Sequence, residues 1–456
     1  MVANRRRGGL ALAIAAGAMS TALADDAVVL FDPNPNPNGA IGTAVALTPT
    51  RVIVGAAPKR SPNAQGAATS FGMLLNWSRA ANGVPVGLPQ SIAPGAGKRA
   101  ERFGESIAVV GSIAIVGSPG WDPGSTVPLI GRVRAVSLET GAVLFAFGNN
   151  NATARAQLGA AVAFDGSTAV VGSPGSPVPG NSVPVGVAYV YAVGAQSALV
   201  TRTLQLPVAD TYSQFGRAVA MNATHLVVGA PGGAAVPPVA AGRALIFDRN
   251  NASTPPATLS APKPETGDRF GQSLAMNGDV LVIGSPGTDC GPAAVYVYRR
   301  TTRGYVHEAT LAAPGDSGWI GFGNSVAIDR ERVAVGTGGV DSETSFGSHA
   351  AVFRRAGRTW IVEAIVSGAN PFDEPSCGAV ALDPEGIVVS DPLDGGGAVR
   401  YVALPRSADL DFDGIVGASD LGVFLGLWGT SALEADFDGD GVVGSADLGV
   451  LLGEWS

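Results

Sequence analysis

The sequence is poor in the residue types on which most catalytic and transition-metal sites depend. Its 456 residues include two cysteines and three histidines, and charged residues make up 14%, where about a quarter is usual. Cys290 and Cys377 match no metal-binding spacing, and they either pair as a disulfide in an oxidising compartment or remain free. The sequence has no phosphate-binding loop and no nucleophile elbow. The composition therefore argues against the commonest hydrolytic and cofactor-dependent sites.

Long apolar runs are also missing. Beyond the N-terminus no run of eighteen apolar residues occurs, so a membrane-spanning helix is not predicted. The N-terminus has Arg5–Arg7, an apolar stretch from Gly9 to Met19 and small residues up to Ala24, in the order of a secretory signal peptide. We predict that residues 1–24 are a signal peptide, with a short membrane anchor as the alternative. The mature chain is then expected outside the cell or at the cell surface.

The negative charge is unevenly distributed along the chain. The whole chain has a formal net charge of −8, and residues 406–456 alone carry ten acidic residues against one arginine. Most of the remaining chain is therefore close to neutral. This distribution favours a cation site in the C-terminal segment and argues against nucleic-acid binding.

Glycine and repetition are what the sequence has in abundance. In Arg269–Pro286, two short apolar runs flank a two-residue polar turn and end at Gly-Ser-Pro, a pattern that predicts a β-hairpin. Seven copies recur at intervals of 52 to 62 residues, which is the mark of a repeat architecture. Their leading glycines are Gly42, Gly104, Gly159, Gly216, Gly271, Gly323 and Gly378.

Each copy continues with a variable loop, a strand such as Val187–Tyr191 and a shorter strand such as Thr203–Leu206. Four antiparallel strands in each of seven units predict an all-β fold, a seven-bladed β-propeller over residues 25–405. The last unit lacks an outermost strand, whereas residues 27–31 precede the first unit and belong to none. We therefore predict that residues 27–31 pair with residues near 398–402 and close the ring.

Phe-Gly at the start of the units and Gly-Ala-Pro or Gly-Ser-Pro at their end resemble FG-GAP repeats, the units of the integrin α-chain propeller. The resemblance covers residues 27–404, with Ile41, Leu158 and Cys377 in place of phenylalanine. It implies a secreted or cell-surface propeller. Calcium-binding FG-GAP units have a long aspartate-rich turn between the first two strands, and these turns are short here. No calcium site is therefore predicted in the propeller.

The acidic C-terminal segment contains a duplicated loop. Aspartates alternate, glycine follows at the sixth position and a further aspartate stands at the twelfth, and the arrangement recurs 27 residues later. Alternating carboxylates on a curled loop converge on a hard cation such as calcium, and the glycine allows the sharp turn. The alternative is a merely solvated acidic tail. The predicted ligands are Asp409, Asp411, Asp413, the Ile415 carbonyl and Asp420 in the first loop, and Asp436, Asp438, Asp440, the Val442 carbonyl and Asp447 in the second.

Each loop is followed by an apolar segment, Asp420–Trp428 or Asp447–Trp455, for which we predict a short helix. A duplicated loop and helix with aspartate at the twelfth position resembles a type I dockerin over residues 406–456. The resemblance implies two calcium ions and a cohesin-like or cell-envelope partner.

Two functions are compatible with the sequence. The first is a non-enzymatic binding or adhesion protein whose propeller loops recognise a protein or polysaccharide and whose C-terminal module attaches or locates it. The second is a carbohydrate-active enzyme tethered through a dockerin, with Asp373 and Glu374 as weak carboxylate candidates. The most variable loops form the expected partner surface on one face. They are Trp121–Pro123, Pro174–Gly186, Pro231–Gly242 and Asp341–Ser348.

Overall fold

The strands of this chain are short, and most run directly into a turn. The computed structural model describes residues 27–33, 40–57, 72–80, 82–94, 101–122, 129–148, 155–178, 183–208, 210–233, 240–287, 293–315, 319–338, 349–367, 378–391, 398–404, 408–411, 415–430, 432, 435–437 and 442–455. Within these residues, 28 strands are followed by two helices. The strands form seven four-stranded antiparallel sheets, as predicted for the blades of a propeller.

The strands of blades 1 to 3 are β2 (Ala40–Thr48), β3 (Arg51–Ala57), β4 (Met73–Arg79), β5 (Pro85–Ile92); β6 (Ser106–Val110), β7 (Ile113–Ser118), β8 (Arg132–Ser137), β9 (Val143–Phe147); and β10 (Ala161–Phe164), β11 (Thr168–Ser173), β12 (Val187–Val193), β13 (Ala198–Leu204). Those of blades 4 and 5 are β14 (Val219–Met221), β15 (His225–Ala230), β16 (Arg243–Asp248), β17 (Ala257–Leu259); and β18 (Ser273–Asn277), β19 (Val280–Ser285), β20 (Ala294–Thr301), β21 (Gly304–Leu311). Blade 6 has β22 (Ser325–Asp329), β23 (Arg332–Gly336), β24 (His349–Ala356) and β25 (Thr359–Ser367), and blade 7 has β26 (Val380–Leu382), β27 (Gly386–Asp391), β28 (Ala398–Ala403) and β1 (Val28–Leu30).

The N-terminal strand completes the last blade. β1 pairs with β28 in antiparallel register, with Val28 opposite Tyr401 and Leu30 opposite Val399. The predicted closure of the ring by residues 27–31 is therefore confirmed. The innermost strands β2, β6, β10, β14, β18, β22 and β26 contact one another in this order, and β26 returns to β2.

The core of the propeller lies between the blades. Seven clusters of buried apolar side chains are present among the described residues, one at each interface between neighbouring blades. The strands are apolar on both faces because each sheet is covered on both sides, and continuous apolar runs are what such strands require. The clusters hold the blades in fixed relative positions, so the loops at the blade ends are displayed from a rigid support.

The Phe-Gly motif explains how the blades interlock. The phenylalanines Phe103, Phe215, Phe270 and Phe322 are completely buried, each in the cluster shared with the preceding blade. Burying one such ring contributes about 2–3 kcal/mol. The following glycine has a positive φ and lies against a glycine of the preceding blade. At the interface between blades 3 and 4, a Cβ on Gly172 would overlap the carbonyl of Gly216.

The outermost strands differ from the prediction that they are short. β21 and β25 have 8 and 9 residues, and β13 covers Ala198–Leu204 instead of beginning near Thr203. Register shifts interrupt the pairing of these strands with their neighbours, for example between Val297 and Tyr298. A β-bulge changes the face to which following side chains point, so simple alternation cannot be followed through it. Blades 4 and 7 are exceptions, because β17 and β1 have three residues each.

The C-terminal segment forms a separate small core. Helices α1 (Ala418–Gly426) and α2 (Ser445–Gly453) each begin and end two residues earlier than predicted. The reason is that Gly417 and Gly444 are extended N-cap residues whose N–H groups donate to Asp420 and Asp447 at 2.7 Å. The two loop-helix units pack together through buried side chains. These are Ala408, Leu410, Val416, Phe424, Ala435, Val443 and Leu451.

Candidate functional site

A cavity of about 510 Å³ lies between the seven innermost strands, at the propeller axis. Each innermost strand contributes an apolar side chain to its wall, such as Val45, Ile107 or Leu274, together with small residues. Arg102 and Glu105 also line the cavity and form an ion pair with each other. The wall of the cavity is therefore mixed: the innermost strands contribute apolar side chains, and polar groups are concentrated at the residues beside the Phe-Gly motifs.

The loops after the second strands and the linkers between blades share one face, as predicted. In four blades the residue after the repeat's proline donates its N–H to the carbonyl three residues before the leading glycine, and in blade 6 Gly338, which stands at the proline position, makes a similar bond. These bonds run from Gly120 to Glu101, Gly175 to Ala156, Gly232 to Ser213, Gly287 to Asp268 and Gly338 to Ile320, at 3.0–3.2 Å. A repeated backbone bond thus fixes where each variable loop leaves its blade. Pro123, residues 179–182 and 234–239, and the loop Asp341–Ser348 lie outside the described residues.

The acidic and amide residues in the inner hairpin turns have a structural role. The Asp165 carboxylate accepts bonds from the N–H groups of Ser167 and Thr168 at 2.9 and 2.7 Å, and Asn222 accepts equivalent bonds in blade 4. Burial raises the pKa of Asp165, but these N–H groups and Arg249 outweigh it, so the pKa lies below its ordinary value. A carboxylate that accepts N–H groups two and three residues ahead is forming its own turn.

The three histidines pack against aromatic rings. His225 at the start of β15 lies 5.5 Å from Tyr305 between ring centroids, and its Nδ1 is 2.8 Å from the Thr224 hydroxyl. His307 lies 5.6 Å from Tyr298, and His349 lies 5.4 Å from Trp319. Burial lowers the pKa of His349 and, together with Arg300, that of His225. These contacts fit a packing role for the three histidines.

Blade 4 contains a cleft that the sequence did not reveal. It has a volume of about 240 Å³ and is lined by Asp210, Arg243, small residues of the loop after β15, and residues beside β17. Asp210 is 4% exposed, and one of its oxygens lies 2.6 Å from Nη2 of Arg243. Gly233 allows the backbone to approach this pair, since a Cβ there would lie 2.6 Å from the Asp210 carboxylate. Asp210 and Arg243 are 33 residues apart, and no spacing motif links them.

In the C-terminal module, part of the first predicted calcium loop converges. Oxygen atoms of Asp409, Asp411 and Asp420 all lie within 4.8 Å of one another. Asp409 and Asp420 are buried, and Asp411 is exposed. The Asp420 carboxylate also accepts N–H bonds from Leu410 and Asp411, at 2.6 and 3.1 Å, and so ties the loop to its helix. Three carboxylates so close together repel one another, and their oxygens are the donors that a hard divalent cation prefers.

The described residues of the second loop repeat this arrangement. Asp436 and Asp447 are each 1% exposed, and Asp447 accepts the Phe437 N–H at 2.6 Å, as Asp420 accepts that of Leu410. Ile415 and Val442 are about half exposed, so their side chains stand outside the module core. The predicted ligands Asp413, Asp438 and Asp440 lie outside the described residues.

Several other predictions also fall outside the described part of the chain. They concern the signal peptide at residues 1–24, Cys290 and Cys377, and the carboxylates Asp373 and Glu374. Neither helix found in the described residues is long and apolar enough to cross a membrane.

Comparison with known proteins supports the repeat. Residues 254–298, which contain Phe270-Gly271, match the family model described as FG-GAP repeat. No curated protein is significantly similar to the sequence. One similar solved structure is the computationally designed Ika8 protein in the P63 crystal form, with 14% identity and a TM-score of 0.43. The match covers 81% of this chain and 98% of that chain. The protein thus contains an FG-GAP repeat within a seven-bladed β-propeller.

Proposed function

We propose that the protein is a secreted or cell-surface binding protein without enzymatic activity. Its propeller loops recognise a protein or glycan partner, and its C-terminal module, loaded with two calcium ions, attaches or locates it. The module's own partner is cohesin-like or belongs to the cell envelope.

The observation that carries the binding role is the repeated backbone bond at the loop face. Four blades use the same bond, and blade 6 a similar one, to position loops that differ in length and sequence. A rigid scaffold that carries variable loops on one face is the arrangement by which many binding proteins recognise partners. An FG-GAP propeller is also consistent with an adhesion role.

The calcium role is supported by the converging carboxylates of the first loop. Asp409 and Asp420 are buried near Asp411, and the corresponding acids of the second loop are buried too. When bound, calcium would supply positive charge and cross-link each loop to the helix that follows. Asp409, Asp411, Asp413, Asp420 and the Ile415 carbonyl would hold the first ion, and Asp436, Asp438, Asp440, Asp447 and the Val442 carbonyl the second.

Calcium titration calorimetry on the full chain tests this part of the proposal. We expect two sites in the wild type and one in either Asp411→Ala or Asp438→Ala, because each change removes a ligand from one loop. The matched control is Glu454→Gln, at the end of α2 and outside both loops, which should keep both sites. Absence of binding at millimolar calcium would refute the calcium role.

A protein and glycan array probed with the full chain tests the recognition role. We expect a partner that binds with and without calcium, because the propeller loops and not the C-terminal module carry the contact. Polysaccharide turnover by the purified protein would instead favour the tethered enzyme.

A further inference from the structure

We propose that the blade 4 cleft beside Arg243 binds an exposed aromatic side chain, tryptophan or tyrosine, of a partner protein. This inference deepens the proposed function and rests on it, since it assigns one loop-face site to a protein partner.

Blade 2 has an arginine at the equivalent position. Arg132 opens β8 opposite Ser118, as Arg243 opens β16 opposite Ala230. In blade 2 the arginine is covered by Trp121, with the guanidinium carbon 4.4 Å from the ring centroid. That distance is typical of a cation–π contact, which prefers arginine and tryptophan. The protein therefore fills this position in blade 2 with an aromatic ring of its own.

In blade 4 no described aromatic ring covers Arg243 in this way. Trp121 lies three residues after Ser118, and the residue three positions after Ala230 is Gly233. The side chain at the end of the loop is smaller as well, because Ala240 of blade 4 stands where blade 2 has Leu129. The two positions are equivalent, since each carbonyl accepts the N–H of the residue two positions before the next leading glycine. The cleft of about 240 Å³ thus lies where blade 2 holds its indole.

The polar groups of the cleft suit an aromatic residue that also carries a donor. Asp210 holds one edge of the Arg243 guanidinium at 2.6 Å. Among the described residues the Arg243 side chain makes no other hydrogen bond, and it is 25% exposed. Indole N–H or phenol O–H groups can donate to the Asp210 carboxylate while the ring covers the guanidinium. A buried aromatic anchor beside an arginine is a common feature of binding hot spots.

The size of the cleft limits the ligand. Its volume is below the roughly 300–1,000 Å³ of pockets for drug-sized molecules, so it admits one ring system instead of a long chain. A sugar ring is the competing occupant because hydroxyls also pair with Asp and Arg. Blade 2 favours the aromatic ring, since the Trp121 ring occupies the equivalent position there.

The test uses N-acetyl-L-tryptophanamide as the probe, followed by saturation-transfer NMR on the full chain. We expect saturable, millimolar binding that becomes about tenfold weaker in Arg243→Gln, because the cation–π contact is lost. Thr258→Trp should block the cleft from the exposed strand β17 without removing the ion pair, which keeps the test valid if Arg243→Gln fails to fold. The matched control is Arg132→Gln, whose cation is already covered, and it should bind like the wild type.

Equal binding of N-acetyl-L-leucinamide, unchanged affinity in both cleft variants, or displacement of the probe by methyl glucoside would overturn the inference. The array experiment separates this failure from that of the proposed function. If Arg243→Gln and Thr258→Trp keep full binding to an array partner, the propeller binds elsewhere and only the inference fails. If the wild type has no array partner, the proposed function fails, whatever the probe does.

Discussion

The propeller and the C-terminal module both bury acidic side chains, but they surround them differently. In the propeller, three of the four buried acids of the described residues have arginine partners: Glu101 pairs with Arg134, Asp210 with Arg243 and Asp383 with Arg79. The fourth, Asp268, accepts the Glu265 N–H at 2.7 Å. In the module, Asp409, Asp420, Asp436 and Asp447 are at most 4% exposed. Residues 406–456 contain a single basic residue, Arg406.

The two parts therefore differ in the source of the positive charge that balances their buried carboxylates. The propeller carries its counterions in its own sequence and is stabilised mainly by apolar packing between blades. The module has a small apolar core, and the proposal assigns its positive charge to bound calcium. A destabilising change in one part should therefore leave the stability of the other part unchanged.

The largest effect is expected at the closing strand. Leu30, the last residue of β1, is 3% exposed and packs in the apolar cluster between blades 7 and 1. Leu30→Asp therefore buries a charge and should lower the propeller's free energy of unfolding by about 5 kcal/mol. Chemical denaturation would measure this loss. Val29→Asp, on the same strand but 50% exposed, should have little effect. Equal losses in the two variants would contradict closure of the ring by β1.

The second prediction concerns the core of the module. Phe424 is completely buried and stacks on Phe437 at 6.0 Å between ring centroids. Phe424→Ala should cost the module about 3–5 kcal/mol and weaken calcium binding, while the melting of the propeller stays unchanged. Leu425→Ala, at an adjacent position that is 54% exposed, is the control and should bind calcium normally. A shift in propeller melting would show that the two parts are not independent.

The third prediction concerns the interface between blades 1 and 7. Arg79 pairs with Asp383, bonds the Tyr401 hydroxyl at 3.3 Å, and has no exposed side-chain area. Burial alone would lower the pKa of Arg79, but Asp383 and Tyr401 outweigh it and raise the pKa, so the cation persists. Arg79→Ala leaves a buried carboxylate without its cation and should cost about 3–4 kcal/mol. Arg249→Ala breaks a more exposed pair and should cost under about 1 kcal/mol.

The smallest effect is a pH dependence confined to the propeller. Burial raises the pKa of Glu308, but Arg299 and Arg355 outweigh it, and the pKa lies below the ordinary 4.5. Glu308 thus stabilises the folded state fully above about pH 4.5, and this contribution is lost as the pH falls through the lower folded-state pKa. Glu308→Gln should flatten that acid-side loss, by under about 1 kcal/mol, in denaturation curves between pH 3 and 6. Exposed Glu139→Gln should leave the curve unchanged.

Much of the propeller could be predicted because each blade repeats the same local sequence pattern of apolar runs, polar turn and Phe-Gly motif. The hairpin turn at Gly278-Asp279 and the role of Phe270-Gly271 are recognisable once seven copies are aligned. The outer strands are less predictable, because bulges such as that between Val297 and Tyr298 break the alternation.

The sites were harder to predict than the scaffold. The duplicated aspartates identify a candidate cation loop from their spacing, but the helix-capping role of Asp420 depends on the N-cap conformation of Gly417. The Arg79–Asp383 pair joins residues 304 positions apart, and only ring closure brings them together. The blade 4 cleft depends on the absence of a side chain at Gly233. That absence could be interpreted only after the structure showed Trp121 covering Arg132 at the equivalent position of blade 2.

Amide hydrogen exchange of the full chain, followed by mass spectrometry with and without calcium, tests the contrast between the two parts most directly. Calcium is predicted to slow exchange in residues 408–455 and to leave the seven blades unchanged. Unchanged exchange in residues 408–455, or protection by calcium within the blades, would contradict a self-sufficient propeller joined to a calcium-dependent module.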